Sequence, residues 1–172
     1  GVIMRRFVQT GLTPLLPDGS VDGQRLRRMG HSLGSVTANL GIAADPGVYE
    51  ASCLSGSGGV FAHYFLDTGL LGTIDPSLIS SLFSLLGAEA PDVVTIPAVL
   101  GAAVGIPEAS WGQLDRLHPV IGLFQWTMDP SDPMAVARDV DVPSTMIVGI
   151  GDYQVPNFTS WALIEALPDA TY

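Results

Sequence analysis

Hydrophobic and small residues are grouped along the chain in segments of two kinds, and each kind predicts a different element. Short apolar or β-branched runs that end in glycine, the pattern of buried strands, occupy residues 48–54 and 144–150. Longer segments rich in small and apolar residues, bounded by capping residues or proline, predict helices over 33–44, 76–86 and 158–167. Strands that alternate with helices are typical of an α/β fold with a mostly parallel sheet.

A serine between two glycines lies at the junction of a predicted strand and a predicted helix. The pentapeptide is Gly30-His31-Ser32-Leu33-Gly34, and it follows a short strand predicted over residues 24–29. Serine in this setting is typical of a nucleophile on a strained strand-to-helix turn, which presents the hydroxyl at the end of a sheet. We expect glycine on both sides because a Cβ there would clash with neighbouring backbone. Ser32 is therefore the candidate nucleophile.

The strand predicted before this serine has an unusual composition. A central parallel strand is normally an almost continuous run of Val, Ile and Leu, whereas this one contains Arg25, Arg27 and Arg28. Beyond the helix, a second predicted strand ends in the glycine-rich segment 55–59. A strand, a serine turn, a helix and a further strand in this order predict a βαβ unit.

The Gly-His-Ser-x-Gly pentapeptide and the βαβ unit around it resemble the serine esterases and lipase-like members of the α/β-hydrolase superfamily. The resemblance implies a partial α/β-hydrolase fold, with a mostly parallel sheet, flanking helices and a helical lid insertion. It also implies acyl transfer to water, with Ser32 as the nucleophile and the Leu33 backbone N–H as one donor of the oxyanion hole. An aspartate-nucleophile dehalogenase is disfavoured because position 32 is serine.

An aspartate follows the second apolar run, in the segment Gly149-Ile150-Gly151-Asp152-Tyr153-Gln154-Val155-Pro156. In the superfamily the acid of the triad lies just past the strand that follows the lid, often as Gly-x-x-Asp before Val-Pro. The resemblance therefore implies that Asp152 is the catalytic acid. The alternative is an ordinary turn residue at the end of a strand. Asn157 is a candidate N-cap for the helix predicted after it.

Between residues 60 and 142 the pattern changes to short apolar segments separated by proline and glycine. The resemblance implies that residues 60–142 form a helical lid over the site. The rest is then hydrolase core, with the serine turn in residues 1–59 and the acid-bearing strand and following helix in residues 143–172. Phe124 and Trp126 in the lid are candidate contacts for an acyl chain. The alternative is that these helices belong to an ordinary core.

The three histidines, His31, His63 and His118, all precede Asp152, whereas the order of the triad in the superfamily is serine, acid, histidine. The resemblance implies that the His31 side chain points away from the nucleophile, and His118 is more typical of a packing or capping residue than of a base. We therefore expect a second chain or a further segment to supply the catalytic histidine and the first strands of the fold. This segment alone should be nearly inactive.

Charge and composition limit the partners. The net charge of −10 argues against nucleic acid, because an acidic surface repels phosphates. No uncharged apolar run reaches the roughly 20 residues of a membrane-spanning helix, so no transmembrane segment is predicted. The spacing Asp18-x-Ser20-x-Asp22-Gly23 matches the first half of a calcium loop, but Met29 occupies the twelfth position, where a bidentate glutamate is required. We predict an ordinary turn there, and neither a metal nor a cofactor.

Two functions of different class remain open at this point. The first is a serine hydrolase that cleaves the carboxylic ester of a small molecule with a hydrophobic acyl group. The second is a non-catalytic binding or interaction module on the same scaffold, in which Ser32 and Asp152 have no catalytic role. A histidine within hydrogen-bonding reach of Ser32 would favour the first, and its absence from the folded protein would favour the second.

Overall fold

The computed structural model describes residues 25–68 and 75–172. Within them, four parallel strands form one sheet in the order β1-β2-β3-β4. The predicted α/β fold with a parallel sheet is confirmed. The predicted turn at residues 18–23 lies outside the described residues. The strands are Leu26–His31 (β1), Tyr49–Ser55 (β2), Ser144–Ile147 (β3) and Ala170–Thr171 (β4).

Helices connect these strands. β3 ends three residues earlier than predicted, because the chain turns at Gly149 and Gly151, the second of which has a φ of 69°. The α-helices are Leu33–Ala44 (α1), Phe61–Asp67 (α2), Pro76–Leu85 (α3), Ile96–Ala103 (α4), Pro119–Met128 (α5), Pro133–Val136 (α6) and Asn157–Ala166 (α7). Short 3₁₀ helices cover Glu108–Gln113, Asp129–Ser131 and Ala137–Asp139. None of the described helices has the length and apolar character that crossing a membrane requires.

One face of the sheet packs against α1 and α7. Alternate side chains of the two central strands point into this core, where Leu54 of β2 and Met146 of β3 are buried. Two serines between these strands form a buried pair, in which the Ser52 hydroxyl donates to Ser144 Oγ at 2.8 Å. The helices contribute buried apolar residues to the same cluster: Ala38, Ile42, Leu163 and Ile164.

The region predicted to be a lid contains two further apolar clusters. One lies around Ile121 and the other around Phe83 and Trp111. The apolar residues of α3 are only partly buried, since Phe83 is buried while Leu78 is 64% exposed. The end of this region packs differently, because residues 137, 140 and 142 belong to the core beneath the sheet.

Arg28 explains how β1 forms despite its arginines. Its guanidinium lies over Gly41 of α1, where a Cβ would come within 2.7 Å of Arg28 Cζ. The same group donates to the Thr37 carbonyl at 3.0 Å and to the Tyr49 hydroxyl at 3.2 Å. Arg27, on the opposite side of the strand, is exposed. Glycine in α1 therefore makes room for a charged side chain in an otherwise apolar position.

The prediction that Asn157 caps α7 is wrong. The N-cap is Pro156, and Asn157 is the first residue of the helix. Its side chain instead binds the turn that follows β3: Nδ2 donates to the Gly149 carbonyl at 2.6 Å, and Oδ1 accepts from the Gly151 N–H at 3.1 Å. The carboxamide stabilises a loop rather than the end of a helix.

Candidate active site

Ser32 is the one residue between β1 and α1, and its backbone is strained. Its φ is 52° and its ψ is −125°, a region that residues with a Cβ rarely adopt. Hydrogen bonds hold this conformation: the Ser32 N–H donates to the Ser55 carbonyl at 2.9 Å, and the Ser32 carbonyl accepts from the Ser35 N–H at 2.8 Å. Backbone outliers of this kind cluster at functional sites, where the surrounding structure maintains them.

The two glycines of the pentapeptide have different surroundings. A Cβ on Gly30 would lie 2.6 Å from the Gly34 carbonyl carbon and from Ser35 Cα, so β1 and α1 approach too closely there for any other residue. The expectation that Gly34 also avoids a clash is wrong for the part of the chain that the structure describes, since a Cβ on Gly34 would meet no atom of a neighbouring element within 4 Å. Only Gly30 is required by this packing.

An apolar cavity of about 240 Å³ opens beside Ser32. Part of its wall comes from α2, whose aromatic rings pack on one another: the centroids of Phe61 and Phe65 are 5.9 Å apart, and those of Tyr64 and Phe65 are 5.1 Å apart. These aromatic residues were not predicted from the sequence. The available signal was the run Phe-Ala-His-Tyr-Phe, which is separated by one residue from the end of the glycine-rich segment. Other lining residues are Leu33, Val36, Gly56, Gly58, Gln154 and Val155.

A buried carboxylate holds α2 in place. Asp132 is fully buried, and its Oδ1 accepts from the Val60 N–H at 3.1 Å and from the Met134 N–H at 2.9 Å. Its Oδ2 accepts from the Phe61 N–H at 2.7 Å and from Gln125 Nε2 at 2.8 Å. Four donors thus satisfy this carboxylate without a cation. Asp132 fixes the start of the helix that forms the aromatic wall.

Asp152 lies in the turn after β3, at the same edge of the sheet as Ser32, because both follow the carboxyl ends of parallel strands. Gln154 and Val155, which follow it closely in the chain, line the cavity together with Ser32. Asp152 Oδ1 accepts from the N–H groups of these two residues at 2.9 Å and 3.0 Å. Among the described residues, no donor is hydrogen bonded to Oδ2. The carboxylate therefore has one fixed oxygen and one free oxygen.

Tyr64 connects the aromatic wall to the loop that contains Asp152. Burial raises the pKa of the Tyr64 phenol; a hydrogen bond with the Thr68 side chain lowers this pKa, and the negative charge of Asp152 raises it. Thr68 also donates its hydroxyl to the Gln154 carbonyl at 2.6 Å. The end of α2 and the Asp152 loop are therefore joined next to the cavity.

The histidines have other partners. His31 Nδ1 lies 3.2 Å from Ser55 Oγ, and His118 Nδ1 accepts from the Val120 N–H at 3.2 Å as the N-cap of α5. His63 is half-buried on α2. In residues 25–68 and 75–172, none of the three is hydrogen bonded to Ser32. The same ranges contain no group of three His, Cys, Asp or Glu side chains that could hold a metal ion.

The remaining predicted site residues lie at different distances from the cavity. Leu33 lines it, and the Leu33 backbone N–H is at the start of α1, where no described group accepts a hydrogen bond from it. Phe124 lies behind the wall, with its ring centroid 5.8 Å from that of Phe65. Trp126 is 71% exposed. Neither Phe124 nor Trp126 is among the lining residues.

The sequence matches no protein-family model, and no curated protein matches it. Several solved structures are similar to this chain. A candidate lipase from Acinetobacter baumannii AYE is 22% identical with a TM-score of 0.50, over 99% of this chain and 56% of that one. An alpha/beta fold family hydrolase from Bacillus anthracis str. Sterne is 15% identical with a TM-score of 0.48, over 86% and 58%. A monoacylglycerol lipase from Paleococcus ferrophilus is 15% identical with a TM-score of 0.44, over 96% and 60%.

Similarity at such low sequence identity establishes the fold alone and does not establish the reaction. The chain spans less than two thirds of each of the three solved chains. The resemblance that the pentapeptide predicts is confirmed at the level of the fold, because the described sheet is parallel throughout and the candidate lipase from Acinetobacter baumannii AYE reaches a TM-score of 0.50 over 99% of this chain. The chain therefore has, in part, the fold of the α/β-hydrolases.

Proposed function

We propose that this chain carries the nucleophile and the acid of a serine hydrolase that cleaves carboxylic esters with a hydrophobic acyl group. The observation that carries the proposal is the strained backbone of Ser32 at the mouth of an apolar cavity. A strained backbone at a serine between a strand and a helix lowers the stability of the protein. The same conformation exposes the serine hydroxyl to a substrate, which is the arrangement that a nucleophile requires.

The proposed reaction proceeds through an acyl-enzyme. Ser32 Oγ attacks the ester carbonyl carbon while a histidine takes the hydroxyl proton, and the Leu33 N–H donates to the oxyanion that forms. The histidine then gives its proton to the departing alcohol. Water, deprotonated by the same histidine, cleaves the acyl-serine to a carboxylic acid and regenerates the serine. Asp152 accepts a hydrogen bond from that histidine, which a second chain or a further segment supplies.

The cavity limits the acyl group. An apolar cavity of about 150 Å³ holds a benzene ring, so the space of about 240 Å³ beside Ser32 corresponds to an acyl chain of roughly six to ten carbons. We assign the acyl contacts to Phe61 and Phe65, with Phe124 behind Phe65. Trp126 stays a predicted contact of the acyl chain and is not among the residues that line the cavity.

A non-catalytic binding module is the second candidate. The observation in its favour is that none of the three histidines is hydrogen bonded to Ser32 within the described residues. Without a base the serine hydroxyl is a weak nucleophile. The same apolar cavity would then hold a ligand and leave it unchanged.

A fluorophosphonate probe, applied to the protein together with the chain or segment that supplies the histidine, distinguishes the two functions, because it reacts covalently only with an activated serine. We expect peptide mass spectrometry to locate the label on Ser32 and expect the Ser32→Ala protein to remain unlabelled. Esters with acyl chains of increasing length, added as competitors, should slow labelling most when the chain fits the cavity. If the folded protein that contains the histidine takes no label, the hydrolase is refuted and the binding module is supported.

A further inference from the structure

The turn between β3 and Asp152 has few contacts of its own. Gly149 and Gly151 have no side chains, Ile150 is fully exposed, and Gly151 adopts a φ of 69°. Within the turn, the Asp152 N–H donates to the Gly149 carbonyl at a long 3.3 Å. A segment with two glycines and one weak hydrogen bond is not rigid by itself. Another group must therefore hold it in one conformation.

That group is the side chain of Asn157. Its Nδ2 donates to the Gly149 carbonyl and its Oδ1 accepts from the Gly151 N–H, so one carboxamide binds both sides of the turn. Asn157 is also the first residue of α7, a helix whose Leu163 and Ile164 are buried in the core beneath the sheet. The carboxamide therefore ties a glycine-rich turn to a rigid element.

We propose that Asn157 is a positioning residue for Asp152, an inference that rests on the proposed catalytic role of Asp152. The backbone after the turn binds Asp152 Oδ1 through two N–H groups, and Asn157 holds the backbone before it. Because the backbone on both sides of Asp152 is held, Asp152 Oδ2 has a fixed orientation in which it can accept a hydrogen bond from a histidine. Among the described side chains, Asn157 is the one that hydrogen bonds to both Gly149 and Gly151.

The role requires a donor and an acceptor on one short side chain. Asparagine has both, whereas alanine has neither and ionised aspartate has only acceptors. Asn157→Ala should free the Gly149 carbonyl and the Gly151 N–H, while Asn157→Asp should keep the acceptor for the Gly151 N–H and lose the donor to Gly149. The two variants therefore separate the two hydrogen bonds.

The test combines a backbone measurement with a chemical one. Amide hydrogen exchange at Gly151 should become about tenfold faster in Asn157→Ala, which corresponds to the loss of one hydrogen bond, and should stay slow in Asn157→Asp. The rate of fluorophosphonate labelling at Ser32 is then measured against pH in the protein that contains the histidine. Glu165→Gln, on the exposed side of the same helix, is the matched control.

A displaced Asp152 no longer raises the pKa of the histidine, so the acid limb of the labelling profile should move to lower pH in Asn157→Ala. The shift should have the same direction as in Asp152→Asn, while a merely structural defect would lower the amount labelled without moving the limb. An unchanged limb in Asn157→Ala beside a shifted limb in Asp152→Asn would overturn the positioning role alone. A wild-type protein without label would instead overturn the proposed function, and unchanged Gly151 exchange would overturn the backbone contact.

Discussion

The strained conformation of Ser32 makes a prediction that does not depend on catalysis. Replacement of Ser32 by glycine should stabilise the protein relative to replacement by alanine. Both variants lack the hydroxyl, and both keep the backbone bonds to Ser55 and Ser35. They differ only in the Cβ, which is costly at a φ of 52° and a ψ of −125°.

The size of the effect follows from two opposing terms. A residue with a Cβ in a sparsely populated backbone region costs on the order of 1–3 kcal/mol. Glycine avoids this cost but loses about 0.5–1 kcal/mol more backbone entropy than alanine on folding. The Ser32→Gly protein should therefore be more stable than Ser32→Ala by about 1 kcal/mol, within a span of about 0–2.5 kcal/mol. A difference of about 1 kcal/mol corresponds to roughly 2–4 °C in Tm for a domain of this size.

Urea unfolding of the two variants, followed by circular dichroism, measures this difference. Ser81 provides a matched control because it is exposed in the middle of α3 with ordinary helical neighbours. There the order should reverse, with alanine more stable than glycine by about 1 kcal/mol. If Ser32→Gly is no more stable than Ser32→Ala while the Ser81 pair behaves as expected, the backbone at Ser32 is not strained and the main support for a nucleophile is lost.

Two further predictions concern the wall of the cavity. Asp132→Ala leaves the Val60, Phe61 and Met134 N–H groups without their acceptor, while Gln125 Nε2 still donates to Asp129 Oδ1. Since each unpaired buried group costs about 1–3 kcal/mol, the free energy of unfolding measured in urea should fall by at least about 3 kcal/mol. The exposed Asp139→Ala should change it by less than about 0.5 kcal/mol, and equal effects would contradict the anchoring role. Because the pKa of Tyr64 is raised in the folded protein, the folded state binds this proton more tightly, so its contribution to stability is complete below about pH 10 and is lost as the pH rises through the raised pKa. Tyr64→Phe should therefore lose less stability than the wild type as the pH rises above about 10, and parallel stability curves would refute this.

Local patterns predicted much of the fold. The helix after Ser32 matches its predicted bounds, and the strand after the region predicted to be a lid begins at the predicted residue, because capping residues, glycines and β-branched runs act within a few positions of the chain. The turn at Ser32 was predicted for the same reason, since its glycine, serine and following helix are contiguous. The strained φ and ψ of Ser32 follow from this direct succession of strand, serine and helix.

The remaining features depend on packing between distant segments. Arg28 is tolerated in β1 only because Gly41 of α1 leaves space beside it. Asp132 binds the start of α2 across 72 positions of the chain, and periodicity gives no sign of such a pairing. The sequence predicted Asn157 as a helix cap because asparagine side chains serve both as caps and as loop contacts. Only the position of the Gly149 turn shows that Asn157 binds the loop.

The sequence by itself therefore determined the α/β class, the serine turn and the order of the elements around it, because these follow from chemistry within one or two turns of backbone. The tertiary structure alone decided which side chains surround Ser32. The cavity is lined by Phe61 and Phe65, not by Phe124 or Trp126, because the direction in which a helix presents its aromatic residues depends on the elements it packs against. Those contacts join residues that are far apart in the chain, where no local pattern can indicate them.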